Sequence, residues 1–240
     1  MSTQNQLRLQ LNLPVDYDYG TWVRHPGVET ACNRLALWTV HGGQIWLNSE
    51  MAAGKTHLLR SMVGEHHTIA LLDVRPAEMT ESSWQLVDQW MKQLEDYAMW
   101  MIDVPAGPIP VAVALALFHC LERARDLQRP VVLAWRGDID ELPPELSSRL
   151  RAMDQVLLHT PERDDEMMMI LRSGVSSLQW DIREQVLQSM LTYLPRGLDV
   201  LMPALKELEE RSFEQKHKPG AAWVKQQLTR IVNESHPRLI

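Results

Sequence analysis

The sequence predicts an α/β protein: a mainly parallel five-stranded sheet covered by helices on both faces, followed by a small all-helical part. Three observations predict it. Short apolar runs near residues 44, 68, 98, 130 and 155 alternate with stretches of helical periodicity. The first run passes through a short turn into Gly54-Lys55-Thr56 and an apolar helix start, the order of a phosphate-binding loop. After Thr160 the pattern is helical throughout. The chain is therefore expected to divide into an extended tail over residues 1–16, an α/β domain over 17–160 and a helical lid domain over 161–240.

The elements justify themselves in order. Gln6-Leu7-Arg8-Leu9-Gln10-Leu11-Asn12-Leu13-Pro14 alternates leucine with polar residues, so an extended backbone puts every leucine on one face. An edge strand and a linear docking motif both fit that pattern. Apolar residues at 28, 31, 32, 35 and 38 predict a helix ending by Gly42-Gly43, and residues 44–47 predict the first strand. The helix after Gly54 is expected to stop at Gly64, with His66-His67 in the loop beyond. Thr68 to Asp73 is expected to be a buried strand, and Ser83 is expected to cap a helix from Trp84 to about Tyr97. Strand 98–103 ends in Asp103, a helix covers 109–127, and Pro130 to Trp135 is the next strand. A loop with Gly137 and Pro143-Pro144 leads into Glu145 to Arg151, and Gln155 to His159 form the fifth strand. Beyond it, helices are expected near 162–173, 178–193, 197–215 and 220–233, separated by Gly174, Pro195-Arg196-Gly197 and Pro219-Gly220.

The phosphate loop departs from its pattern at one position. Ser49 stands where the first glycine is expected. Such a loop aims backbone N–H groups and a helix N-terminus at phosphate oxygens. Ala52, Ala53, Gly54, Lys55, Thr56 and His57 are thus the candidate nucleotide-binding residues, with Lys55 near the outer phosphates. Thr56 and Asp103 are the candidate Mg²⁺ ligands, Asp103 because an apolar strand ending in aspartate places a carboxylate beside the loop. The residue after Asp103 is Val104, which has no group to orient or deprotonate an attacking water.

Composition excludes little and does so quietly. A net charge of -7 argues against a broad basic nucleic-acid surface. Two cysteines, Cys32 and Cys120, offer neither a disulfide framework nor zinc spacing and read as buried core thiols. There is no run of about 18 apolar residues for a membrane helix and no signal-peptide pattern at the start, so a cytoplasmic protein without membrane contact is expected. Nine tryptophans against two phenylalanines is unusual, and core packing is its plain reading.

Five strands, a phosphate loop, an aspartate-terminated strand and a trailing helical lid describe an AAA+ module. Four phrases carry a narrower likeness: Gln6 to Pro14, the loop leading into Lys55-Thr56-His57-Leu58-Leu59, Leu146-Ser147-Ser148-Arg149-Leu150, and Pro161-Glu162-Arg163-Asp164-Asp165-Glu166. They resemble the Hda family, paralogues of the replication initiator DnaA that act as its regulatory inactivators. The resemblance covers nearly the whole chain in order and spacing. It implies that Gln6, Leu7, Leu9 and Leu11 dock on the β sliding clamp of DNA polymerase III, with DNA met through the clamp. A second register, Gln10-Leu11-Asn12-Leu13-Pro14, also fits the clamp motif. It implies, too, that Arg149 is an arginine finger acting in trans on ATP bound to DnaA. Such a finger neutralises charge on the transferred phosphoryl group and is worth about 10³–10⁵ in rate. Family members bind ADP, so ADP with Mg²⁺ is the implied ligand.

The chain departs from the family around the γ-phosphate. Besides Ser49 and Val104, Ala134 or Trp135 stands where a polar sensor belongs, and Asp199 aligns with the sensor arginine of the lid. Arg196, one helical turn earlier, is the candidate replacement in nucleotide binding. The expected function is therefore a clamp-bound regulator of replication initiation that stimulates hydrolysis of DnaA-bound ATP. Its own site is expected to hold ADP or no nucleotide and not to act as an efficient ATPase. A DnaA-family loader or targeting adaptor without clamp binding, and a weak AAA+ ATPase, are the alternatives. Self-association as a homodimer is left open.

Overall fold

The structure, a computed structural model, describes residues 22–75, 82–215 and 219–235. The tail carrying Gln6, Leu7, Leu9 and Leu11 lies outside the described residues.

The chain begins with α1 (Pro26–His41), whose proline at the first turn suits a helix start, where its missing N–H is not needed. It continues through β1 (Gln44–Asn48), α2 (Lys55–Glu65), β2 (Ile69–Asp73), α3 (Ser83–Leu94), β3 (Met99–Asp103), α4 (Val111–Asp126) and β4 (Val131–Ala134). A 3₁₀ turn at Ile139–Glu141 leads to α5 (Pro144–Ala152) and β5 (Asp154–Leu157). The five strands form one parallel sheet in the order β2-β3-β4-β1-β5. The strands β1, β3 and β4 are short, largely apolar and mostly buried on both faces, as a sheet between two helix layers requires, whereas the edge strand β5 buries only Val156.

Alternation along β1 assigns its side chains to two cores. Trp46 faces α3, α4 and α5 with Trp100, Ile102 and Leu133, whereas Ile45 and Leu47 face α1 and α2 with Leu35, Leu58 and Leu59. The tryptophans fill these cores. Trp38, Trp90, Trp100 and Trp135 are fully buried, and Trp46 stacks on Trp135 with ring centroids 6.3 Å apart. Three of them also tie down loops, because a buried indole N–H needs an acceptor. Trp38 donates to the Gly43 carbonyl (3.1 Å), Trp100 to Tyr97 (3.2 Å) and Trp135 to Gly107 (3.1 Å).

After β5 come α6 (Asp164–Ser177), α7 (Glu184–Tyr193), α8 (Leu198–Glu214) and α9 (Ala221–Ser235). They pack around their own core of Met167, Leu171, Met190, Leu205, Leu208 and Leu228. Met167 and Met168 are core residues, whereas Met169 is exposed.

Of the boundaries that differ from the sequence reading, three have a capping or packing reason. The cap of α3 is Ser82, not Ser83: Gln85 Oε1 accepts from the Ser82 N–H (3.3 Å) and hydroxyl (2.7 Å), and the helix closes at Leu94. Gly174 does not end a helix but lies inside α6, where its missing side chain lets α8 approach. A Cβ there would stand 2.9 Å from both Leu205 and Met202. The helix expected from 178 begins only at Glu184, since Leu178 caps α6 instead.

Candidate nucleotide-binding site

β1, α2, β3 and β4 bring their ends together at the carboxyl edge of the sheet, where open α/β sheets bind ligands. The loop from Ser49 to Gly54 crosses this edge. Gly54 adopts a left-handed conformation (φ 80°) and caps α2 without any side-chain hydrogen bond, so the first N–H groups of α2 carry no competing cap. The indole of Trp22 lies against Gly54: a Cβ there would be 3.2 Å from the ring. Trp22 also meets His57 edge-on, with ring centroids 5.4 Å apart.

Ser49 has a physical role that the motif alone did not suggest. It is 3% exposed, its N–H donates to Asn48 Oδ1 (2.7 Å), and its hydroxyl accepts from Lys55 Nζ (2.5 Å). The hydroxyl therefore gives the half-buried ammonium an oxygen partner where glycine would give none. Burial, reinforced by the charge of Arg136, holds the Lys55 ammonium down to about 8, while Asp103 pulls it the other way.

Asp103 ends β3, 6% exposed, and accepts a hydrogen bond from the Thr56 side chain. Burial raises its carboxyl above the usual range, the Thr56 bond opposes that rise, and neighbouring Asp73 adds to it. Asp73 is level with Asp103 on the adjacent strand and is paired with Arg60 of α2 (2.5 Å). Burial and the nearby Arg60 lower His57. The set of Lys55, Thr56, Asp103 and an uncapped helix start suits a phosphate chain with a divalent cation: donors for the anion, and a hydroxyl and a carboxylate for the metal. Among the described residues no group of three His, Cys, Asp or Glu side chains could hold a metal.

The remaining predicted residues lie elsewhere. Val104 is 3% exposed and packs in the core, and so does Trp135, whose ring turns back over Gly137. Ala134 is fully buried as well, so neither Ala134 nor Trp135 offers a polar group at the site. The residue there is Arg136, which the sequence reading missed. Its signal was its place just past the end of β4. Arg196 is exposed and engages Asp164 of α6, at 2.8 Å and 3.1 Å. Asp199 sits in the first turn of α8, its carboxylate folded back over Gly197. Arg149 projects from α5 and is only 22% exposed in its side chain, because Glu122 of α4 holds it in an ion pair.

A parallel sheet in this order, with a phosphate loop between β1 and α2, an aspartate closing β3 and a helical bundle after β5, is the AAA+ fold. The particular likeness is to domain III of the replication initiation protein DnaA from Thermotoga maritima. The TM-score is 0.72 at 18% sequence identity, over 90% of this chain and 97% of that one. The RuvB Holliday junction branch migration motor of the same organism matches with a TM-score of 0.59 at 14% identity, over 86% of this chain and 69% of that one. The replication initiator DnaA bound to AMPPCP and single-stranded DNA matches with a TM-score of 0.55 at 13% identity, over 83% and 68%. No protein-family model matches the chain. Among the described residues no helix is long and apolar enough to cross a membrane.

Proposed function

We propose that this protein is a DnaA-related regulator of replication initiation that binds nucleotide without turning it over and supplies Arg149 to a partner's nucleotide. The observation that carries the reading is the contrast between two parts of the molecule. The loop, Lys55, Thr56 and Asp103 are assembled to bind phosphate and Mg²⁺, yet Val104 is a core side chain and no acid follows Asp103. A bound nucleotide with Mg²⁺ would supply the charge that Lys55, Thr56 and Asp103 are arranged to meet. Without a group to position water, its role is to hold loop, sheet and bundle together.

Arg149 stands on α5, apart from this loop. Its Nε is buried without a hydrogen-bond partner, and its remaining contact is the ion pair with Glu122. A guanidinium so placed can leave one carboxylate and meet a phosphoryl group, for which its planar fork is suited. The partner implied by the resemblance is ATP-bound DnaA. The docking site implied is the β sliding clamp, reached through Gln6, Leu7, Leu9 and Leu11, with the register from Gln10 as the alternative. The helical unit over 161–240 serves as the lid, with Arg196 held by Asp164 until a nucleotide competes for it.

The test is DnaA ATP hydrolysis in the presence of clamp, DNA and this protein. Arg149→Ala should reduce the stimulation at least 100-fold while clamp binding persists. Full stimulation by the variant would overturn the role of Arg149. Loss of clamp capture on changing Gln6 and Leu7 to Ala separates the regulator from an adaptor that does not use the clamp. A weak ATPase is the second reading, favoured by the intact Thr56–Asp103 bond. Intrinsic turnover that vanishes in Lys55→Ala would establish it.

A further inference from the structure

The helix layer of α3, α4 and α5 carries an open surface beside Arg149. Trp84, Val87 and Met91 line one wall along α3, at the spacing of a single helix face, and His119, Glu122 and Asp126 line the other along α4. The groove between them has a volume of about 420 Å³. Among the described residues Trp84 is the one exposed tryptophan, at 71%. It is held in place all the same. Its ring stacks on His119 with centroids 5.1 Å apart, and Phe118 meets His119 edge-on at 5.5 Å. An indole that is exposed yet fixed offers a wide apolar contact with little side-chain entropy left to lose. The far end of the groove is acidic. Arg123 there pairs with Glu95 (3.4 Å), whereas Asp126 has no ion-pair partner among the described residues.

Glu122 joins the groove to Arg149. One of its oxygens takes Arg125 (2.5 Å) and the other takes Arg149. When Arg149 leaves for a phosphoryl group, Arg125 still neutralises Glu122, and Glu95, Glu122 and Asp126 remain against Arg123 and Arg125. The surface left behind is apolar at one end and short of one cation at the other. We propose that this groove docks the nucleotide-bearing partner, through a segment that carries an apolar side chain and, farther along, a lysine or arginine. The apolar side chain packs on Trp84, Val87 and Met91. The cation meets Asp126, one helical turn from Glu122. There it repels Arg149 and loosens its hold on Glu122, so the finger is freed where the partner sits. The groove runs about 16 Å from Trp84 to Glu95, the length of about three helical turns. The inference rests on the role proposed above for Arg149, and it adds where the partner binds and what releases that side chain.

The experiment titrates the full chain against ATP-bound DnaA with clamp and DNA, and reads the concentration for half-maximal stimulation separately from the maximal rate. Trp84→Ala and Asp126→Lys should each raise the half-maximal concentration about tenfold, with clamp capture kept and the loss overcome at saturating protein. Trp84→Phe should stay within about threefold of the wild type, since it keeps an aromatic face. Glu122→Gln should lower the half-maximal concentration, because Arg149 is no longer held. Circular dichroism and thermal melting of each variant show that it is folded. Wild-type behaviour of Trp84→Ala and Asp126→Lys, with stimulation still lost in Arg149→Ala, overturns the groove and leaves the role of Arg149 standing. A Glu122→Gln variant that loses its maximal rate as Arg149→Ala does overturns the release, since Glu122 then positions the finger instead of restraining it. A protein that sediments alone as a dimer, and as a monomer in Trp84→Ala, puts a second copy in the groove and overturns the partner. No stimulation by the folded wild type overturns both readings.

Discussion

Single residues in this protein carry charge arrangements that can be titrated or deleted one at a time. His25 is 5% exposed, its Nδ1 has no hydrogen-bond partner, and burial lowers its pKa while Glu166 works the other way. The folded state thus prefers neutral imidazole, whereas the unfolded chain takes up a proton near pH 6.5. Stability is therefore complete above pH 6.5 and falls as pH drops through that value toward the lowered folded pKa. Half-buried His57, also lowered, acts in the same direction. Denaturant unfolding at pH 7.5 and 5.5 should show the loss, and His25→Asn should show a smaller one. An unchanged pH dependence in the variant would remove His25 from the account. Ser49→Ala takes the hydroxyl from Lys55 and should cost about 1.5–3 kcal/mol, the range for a hydrogen bond to a charged group, read as a lower urea midpoint. Arg149→Ala should cost about 1–3 kcal/mol, because both partners of its ion pair with Glu122 are largely buried, so thermal melting has to show the variant folded at the assay temperature. A loss of stimulation in that variant then reports on chemistry rather than on folding.

At the scale of elements, the loops that follow β3 and β4 are tied to each other for identifiable reasons. Gly137 is the clearest. A Cβ there would lie 2.2 Å from the Trp135 ring and 2.8 Å from the Gly107 carbonyl, and neither a buried indole nor a tied backbone can yield. Gly137→Ala should destabilise the fold by about 1–3 kcal/mol, which thermal melting can measure. These loops explain why the site was only partly legible in the sequence. The Gly54-Lys55-Thr56 signal is local: glycine, lysine and a helix start are contiguous. The strand ends that complete the site, Asp103 and Arg136, are joined to it by sheet order, and β4 inserts between β1 and β3 although it follows them in the chain. Asp103 was legible because its strand ends in a carboxylate. Arg136 was not, because Trp135 beside it drew attention as the candidate sensor and proved to be core.

Over the whole molecule, two folding units share one chain: a sheet between two helix layers, and a four-helix bundle with its own core. Periodicity alone predicts the strand and helix order, since a two-sided buried strand and an amphipathic helix have different repeats and both repeats are local. The phosphate loop follows from the same local logic. Helix boundaries at Gly174 and Leu178 depend instead on how closely α6 and α8 pack, and no local pattern reports that distance. The electrostatic character of the site is likewise a property of three dimensions. Ser49 looks like a lost glycine until its hydroxyl is found on Lys55. Arg149 looks like a solvated arginine until Glu122 is found beside it, and Arg136 like a loop cation until its charge is found acting on Lys55. Chain order therefore settles which elements form and which chemical groups are present. Packing settles which charges share a dielectric, because burial and neighbours 80 residues apart set the energy of each ion.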